Sequence, residues 1–325
     1  MALKKYYIFS PSAPNLNTSM KRRLRAIAFL KQKGNVIIEG ELINKSLGHV
    51  TGTIKERASE FNQGFMSDVD IIYASFGGEN SSSILRYINY ELIKKTKKII
   101  VGNSDITAII LAIYAKTGLG SWHYMTLLPA FGEFEPLVSI NYKLFNEIIF
   151  SEKTNIIYKM PSEYTNDYIN WNDFEKKKKM FINDWKGLNN GQVKSVLLGG
   201  NLKTIVKLLG SEYYPNFDNC ILLLEDSKTS PSEVESCLSS LINSGTISSI
   251  KGLIISKCEN YLDSTGDYGD FVYTFFKNLN IPCFKNFDSG HTFPCMPVKI
   301  GGIYILNVQE NNIQLILEKN KEINI

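Results

Sequence analysis

The sequence predicts an α/β protein, with a parallel sheet covered on both faces in its first 150 residues and a second α/β domain after it. Two observations carry this. Short apolar runs and amphipathic stretches alternate through the first third, the pattern of repeated strand–helix units. The apolar runs lack polar alternation, as strands buried on both faces do. A length of 325 residues also exceeds what one core usually holds, so one large or two modest domains are expected.

Residues 6–10 read as a strand that Pro11 ends. Residues 18–33 have helical spacing, with Leu24, Ile27, Ala28 and Lys31 near one face, and Gly34 stops the helix. A strand at 35–39, a helix at 54–66 and a strand at 68–75 follow, the last running into Gly77 and Gly78. A helix at 81–93, a strand at 98–102 and a helix at 105–117 continue the alternation. Residues 151–190 differ: they are polar, rich in Asn and Lys, and dotted with aromatics. They read as a linker or substrate loop between an N-terminal domain (1–150) and a C-terminal domain (191–325), since long loops in compact domains are often functional. Apolar runs then return at 195–198, 220–224, 252–256 and 281–284. A helix at 232–241 opens on SPSEVE, a Ser followed three residues later by Glu. No repeat relates the halves.

Composition excludes several function classes. The chain is 44% hydrophobic and 21% charged, with no long low-complexity tract, so extended disorder is not expected. A net charge of +4 is too weak to imply a nucleic-acid partner. The two basic runs, MKRRLR at 20–25 and EKKKKM at 175–180, read as solvated faces. Five widely spaced cysteines without a CxxC pair suit reduced, buried thiols in a cytoplasmic protein. The N-terminus lacks the pattern of a signal peptide, and no run of 18 apolar residues calls for a membrane span. No HExxH, Cys/His cluster, Asp-rich loop, P-loop or strand-linked GxGxxG occurs, so neither metal nor cofactor is expected.

Two strand ends carry unusual residues, FGGENSS at 76–82 and GNSDIT at 102–107, where open α/β sheets bind ligands. Ser104 stands on a strand-to-helix turn, after Gly102, as a nucleophilic Ser often does. Ile106 stands where a full GxSxG elbow has its second Gly. A Ser before Asp at a helix start can equally be an N-cap. A Ser hydroxyl needs a base, and the chain has three histidines: His49 in a loop, His123 on the strand expected after the Ser helix, and His291 in FDSGHTFPCMP. The loop position beside Gly favours His291. The acid behind the base is best matched by Glu225, at the end of CILLL, where a carboxylate is costly unless paired. Asp105 and Asp226 compete with it. Gly77 and Gly78 let a backbone approach a ligand and offer N–H groups.

These segments together resemble the LD-carboxypeptidases, the S66 class of serine peptidases. SPSAP, KERASEFNQGFMSDVDIIYASFGG, GNSDITAI, LLGGNLKTI, ILLLEDSKTSPSEVESCLSSL and GHTFPCMPVKIGG fall in that family's order along almost the whole chain. The resemblance implies a doubly wound N-terminal domain related to class I glutamine amidotransferases and a smaller C-terminal α/β domain. It implies a triad of Ser104, Glu225 and His291, with an oxyanion hole from the backbone of Gly78 and Asp105. PSEYTNDYINW and the long stretch after it resemble the MccF-type branch, the microcin C7 self-immunity proteins, which cleave the amide between a C-terminal aspartate and a modified nucleotide. Trp171 and Trp185 would then offer faces to a base, and Asn201 and Lys228 would meet the substrate's carboxylate or phosphate. A homodimer is implied as well. Two departures stand out: Glu79 in FGGENSS replaces an aromatic or small residue, and SEVESCL lacks a common Arg. The rival expectations are a murein LD-carboxypeptidase releasing terminal D-Ala, and a non-catalytic binding protein.

Overall fold

The computed structural model describes residues 3–14, 20–167, 169, 178–263 and 266–319. The alternation of strand and helix gives the first layer. β1 (Lys5–Phe9), α1 (Met20–Gln32), β2 (Val36–Glu39), α2 (Ile54–Met66), β3 (Ile71–Ala74), α3 (Tyr90–Thr96), β4 (Ile99–Gly102), α4 (Thr107–Thr117) and β5 (Ser121–His123) follow one another. β2, β1, β3, β4 and β5 lie side by side in that order, all parallel. β1, β3 and β4 are almost wholly buried, which is why those runs show no alternation, while β2 at the edge is largely exposed.

Local chemistry sets the helix limits. α2 begins with a capping box in which Thr53 and Glu56 satisfy each other's backbone N–H groups. Gly64 lets α2 close onto β1, because a Cβ there would lie 2.8 Å from Tyr7 Cδ1. The helix expected at 81–93 is split: a 3-10 segment (Ser81–Tyr87) gives way to α3, which Asn89 caps through Leu92 N–H. α4 is buried on every side from Thr107 to Ile113, so most of its length is internal.

α5 (Leu127–Phe131), α6 (Leu137–Ile149), β6 (Asn155–Ile157), β7 (Glu163–Tyr164), β8 (Phe181–Ile182) and β9 (Lys186–Asn189) lead to the second sheet. It is built from β10 (Gly191–Asn201), β11 (Ile221–Glu225), β13 (Gly252–Ser256), β15 (Cys283–Phe287), β17 (Gly302–Gln309) and β18 (Asn312–Glu318), with β6 and β9 at its edges. Between them stand α7 (Leu202–Val206), β12 (Ser227–Thr229), α8 (Pro231–Asn243), β14 (Glu259–Tyr261), α9 (Tyr268–Tyr273) and β16 (Val298–Ile300). β10, β11, β13 and β15 are parallel, while β17 and β18 form an antiparallel hairpin. β16 leaves this half and pairs antiparallel with β5 of the first sheet, Val298 opposite His123. The result is the mixed, two-domain α/β architecture, with the second sheet mixed and not wholly parallel.

The two basic runs are not wholly solvated faces, although residues 175–177 of the second lie outside the described residues. Arg22 and Arg23 are buried. Arg22 donates to Leu128 O at 3.0 Å and to Glu133 at 2.6 Å, and Lys178, from the second run, stands 3.5 Å from the same carboxylate. A carboxylate from α5's end neutralises both cations, which no pattern local to either run reveals.

Candidate active site

The carboxyl ends of the two parallel strand sets meet at one cavity of about 760 Å³. From the first sheet, β4 ends at Gly102 and the chain turns sharply into a 3-10 segment (Ser104–Ile106) that feeds α4. Ser104 takes a φ of 59°, the left-handed region that L-residues other than Asn and Asp seldom enter. Strain of this kind persists only where the surroundings impose it. Gly102 has no room for a side chain, since a Cβ would lie 2.7 Å from Ile106 Cγ2. The Gly77 backbone passes close by: a Cβ on Gly77 would lie 3.5 Å from Ser104 Oγ. Gly78 has a φ of 146° and no space for a Cβ beside Ser12 and Ala13.

From the second sheet, β10 and β11 end together, with Asn201 opposite Glu225 in register. Glu225 is wholly buried. Its Oε2 is 2.7 Å from His291 Nδ1, and its Oε1 is 3.6 Å from His123 Nε2. His291 follows β15 by way of Asp288, Ser289 and Gly290. Gly290 has a φ of 116°, and a Cβ there would meet Glu225 Oε2 at 2.7 Å. Asn103 ties this loop to the serine turn: its amide donates to Gly290 O at 3.0 Å and its carbonyl accepts from Thr126 N–H at 3.1 Å.

Electrostatics follow from this packing. Burial opposes ionisation of Glu225, yet His291 and His123 together hold its carboxyl below the usual carboxylate range. Burial likewise opposes the imidazolium of His291, but Glu225 prevails and raises it to about 8. Next door, burial pushes Asp226 up to about 6 against the pull of Lys203, helped by the charge on Glu225. A hydroxyl on a strained turn, an imidazole and a buried anion behind it are the parts that acyl transfer requires.

Ser104, His291, Gly77, Gly78, Asn201 and Lys228 all line the cavity, and Glu225 stands behind His291. Asp105 follows Ser104, with its carboxylate turned to Ser81 N–H at 2.9 Å. Lys228 has a φ of 50°, a second left-handed residue at the rim. Asn201 caps α7 through Thr204 N–H and points its amide nitrogen toward Asp226 at 3.4 Å. The expectation for Trp185 is corrected. Its ring packs between Phe284 and Phe287, its Nε1–H donates to Asp288 at 2.7 Å, and it does not line the cavity. Trp171 lies outside the described residues. Sequence reasoning overlooked Arg22, Lys178, Lys203 and Lys207, which add cations to the cavity wall. Nothing local marks the first two; Lys203 and Lys207 follow Asn201 at spacings that put them on one face of α7's turn and beyond.

Comparison with known proteins gives a consistent answer. Residues 7–124 match the LD-carboxypeptidase N-terminal domain family, and residues 194–306 match the LD-carboxypeptidase C-terminal domain family. A carboxypeptidase-named protein of Vibrio cholerae is 36% identical over 298 residues, 90% of this chain and 89% of the relative. The microcin C7 self-immunity protein MccF of Escherichia coli is 34% identical over 315 residues, 94% of this chain and 91% of its own. A solved structure of MccF in complex with aspartyl sulfamoyl adenosine matches with a TM-score of 0.93 at 33% identity, covering 98% of this chain and 97% of that one. An active-site mutant of MccF, with a serine, an asparagine and a lysine replaced by alanine, matches equally well, at a TM-score of 0.93 and 32% identity over 98% and 97% of the two chains. The chain belongs to the LD-carboxypeptidase family, peptidase S66, and is a serine-peptidase-like hydrolase.

Proposed function

We propose that Ser104, His291 and Glu225 form the catalytic triad, and that the enzyme hydrolyses the amide joining an aspartyl residue with a free carboxylate to a nucleoside moiety. The single observation that carries the triad is the 2.7 Å contact between buried Glu225 and His291, in the same cavity as the strained Ser104. His291 takes the Ser104 proton as the oxygen attacks the carbonyl. Glu225 fixes the imidazole tautomer and stabilises its positive form. Backbone N–H groups of Gly78 and Asp105 receive the oxyanion. His291 then protonates the departing nitrogen, and water, activated by the same imidazole, releases the acyl group from Ser104.

Lys228 and Asn201 meet the substrate's anionic groups in this reading. What supports it is their place on the cavity wall among Arg22, Lys178, Lys203 and Lys207, which suits a carboxylate or phosphate. Support also comes from the asparagine and lysine replaced in the MccF active-site mutant, whose separation along the chain equals that of Asn201 and Lys228. The same relative binds aspartyl sulfamoyl adenosine. The reading carries with it a cytoplasmic homodimer that removes a peptidyl-nucleotide antibiotic.

The test is hydrolysis of aspartyl sulfamoyl adenosine and of murein tetrapeptide, side by side, followed by mass spectrometry. We expect release of aspartate from the first and nothing from the second. Release of D-Ala from the tetrapeptide alone would replace the nucleoside substrate with a cell-wall peptide. Ser104→Ala should lower turnover by roughly 10³-fold or more with an unchanged fold. Near-normal turnover in that variant would remove Ser104 as nucleophile.

A further inference from the structure

Glu225 stands between two imidazoles, and only one of them belongs to the proposed triad. His123 ends β5, beside Gly102 of β4, and is completely buried. Its Nε2 is 3.6 Å from Glu225 Oε1, the oxygen that His291 does not use. Among the described residues neither of these two atoms has a hydrogen-bond partner. Two buried polar groups left so close together are costly unless they serve each other. On its other side, His123 Nδ1 lies 3.4 Å from the hydroxyl of Ser289, two residues before His291. Ser289 O–H donating to Nδ1 leaves the proton on Nε2, aimed at Glu225. Space for the ring comes from Gly200 at the end of β10, where a Cβ would lie 3.2 Å from His123 Cδ2.

We infer that His123 is a positioning residue, a second imidazole that donates to Glu225 and holds its carboxylate in the one orientation that serves His291. The inference rests on the proposed triad. A carboxylate with only one anchored oxygen can rotate about its last bond, and a small misplacement behind the base is expensive in rate. The donor also stabilises the anion most when His291 is neutral. Losing it therefore makes the Glu225–His291 pair harder to deprotonate. Other charged or titratable groups facing the pair are Asp226, Glu259, Lys203, Cys258, Cys295 and Tyr268. None of them touches Glu225 Oε1.

Three variants of the full chain test this, read by the pH dependence of Ser104 labelling with a fluorophosphonate probe, which requires no knowledge of the substrate. His123→Leu should slow labelling on the order of 10- to 100-fold and move its acid limb to higher pH. His123→Gln, whose amide nitrogen reaches the Nε2 position, should restore most of the rate and the original limb. His123→Asn places its amide nearer the Nδ1 position and should not, so the Gln–Asn contrast decides the matter even if the Leu variant fails to fold. Unchanged pH profiles in all folded variants, or equal losses in Gln and Asn, would overturn the role of His123. His291→Ala is the control: if it labels normally, the triad itself is at fault and not the second histidine.

Discussion

His291 is held between opposing influences, and its titration has consequences for both rate and stability. Its folded value of about 8 exceeds the ordinary 6.5 because the Glu225 carboxylate outweighs burial. As a base it works only when neutral. The value of kcat/KM is therefore expected to rise with pH and level off above about 8, measured on any substrate the enzyme accepts. Stability runs the other way. A histidine whose folded value is raised contributes fully below 6.5 and loses that contribution as pH climbs through about 8, a change of about 2 kcal/mol. Glu225, held below its usual range, contributes above about 4.5 and loses it as pH falls. Thermal melts between pH 6 and 9 should show the decline, and His291→Ala should flatten it. A flat wild-type curve would mean that Glu225 does not charge His291.

Single elements carry their own logic. α8 begins on Ser230, whose hydroxyl accepts from Glu233 N–H while the Glu233 carboxylate accepts from Ser230 N–H, with Pro231 at the first helical position. Ser230→Ala should lower stability by about 1 kcal/mol in denaturant melts and leave kcat unchanged. A loss of activity instead would tie this helix start to the nearby cavity, which Glu233 also lines. α4 shows the contrasting case. It is buried on all sides from Thr107 to Ile113, so no helical periodicity orients it; the β10 strand and α7 packed against it do. Its first residue, Thr107, accepts the N–H of Asn201 at 3.1 Å and so joins the serine turn to the other domain.

At the scale of the molecule, β16 and the connecting segment bind the two sheets. β16 completes the first sheet from the far end of the chain. Thr165 and Phe293 exchange backbone hydrogen bonds at 2.7 and 2.9 Å, which holds the connector against the His291 loop. Trp185 anchors the same connector in the second core, where Asp288 accepts from Trp185, Asn183 and Lys257. Trp185→Phe keeps an aromatic ring, smaller than the indole, and removes one donor from a buried carboxylate. It should cost about 2 kcal/mol in thermal unfolding with KM unchanged. A rise in KM with no loss of stability would return Trp185 to the substrate.

The sequence by itself determined the order of strands and helices in the first third, since apolar runs and Gly stops are local signals. The capping pattern in SPSEVE signalled a helix start, which the structure puts at the Ser230 cap. The sequence also brought forward Ser104, Glu225 and His291, because each lies at or shortly after a strand end and the order of those segments resembles one family. Only the tertiary structure decided that Glu225 faces His123 as well as His291. It alone decided that Arg22 and Lys178 share Glu133, and that Trp185 belongs to the core. The physical reason is common to all three. Burial and pairing are made between residues far apart in the chain, Arg22 and Glu133 or Trp185 and Asp288 for example, where no periodicity or spacing is visible. A charged run or a tryptophan reads the same in sequence whether it meets water, a ligand or a carboxylate.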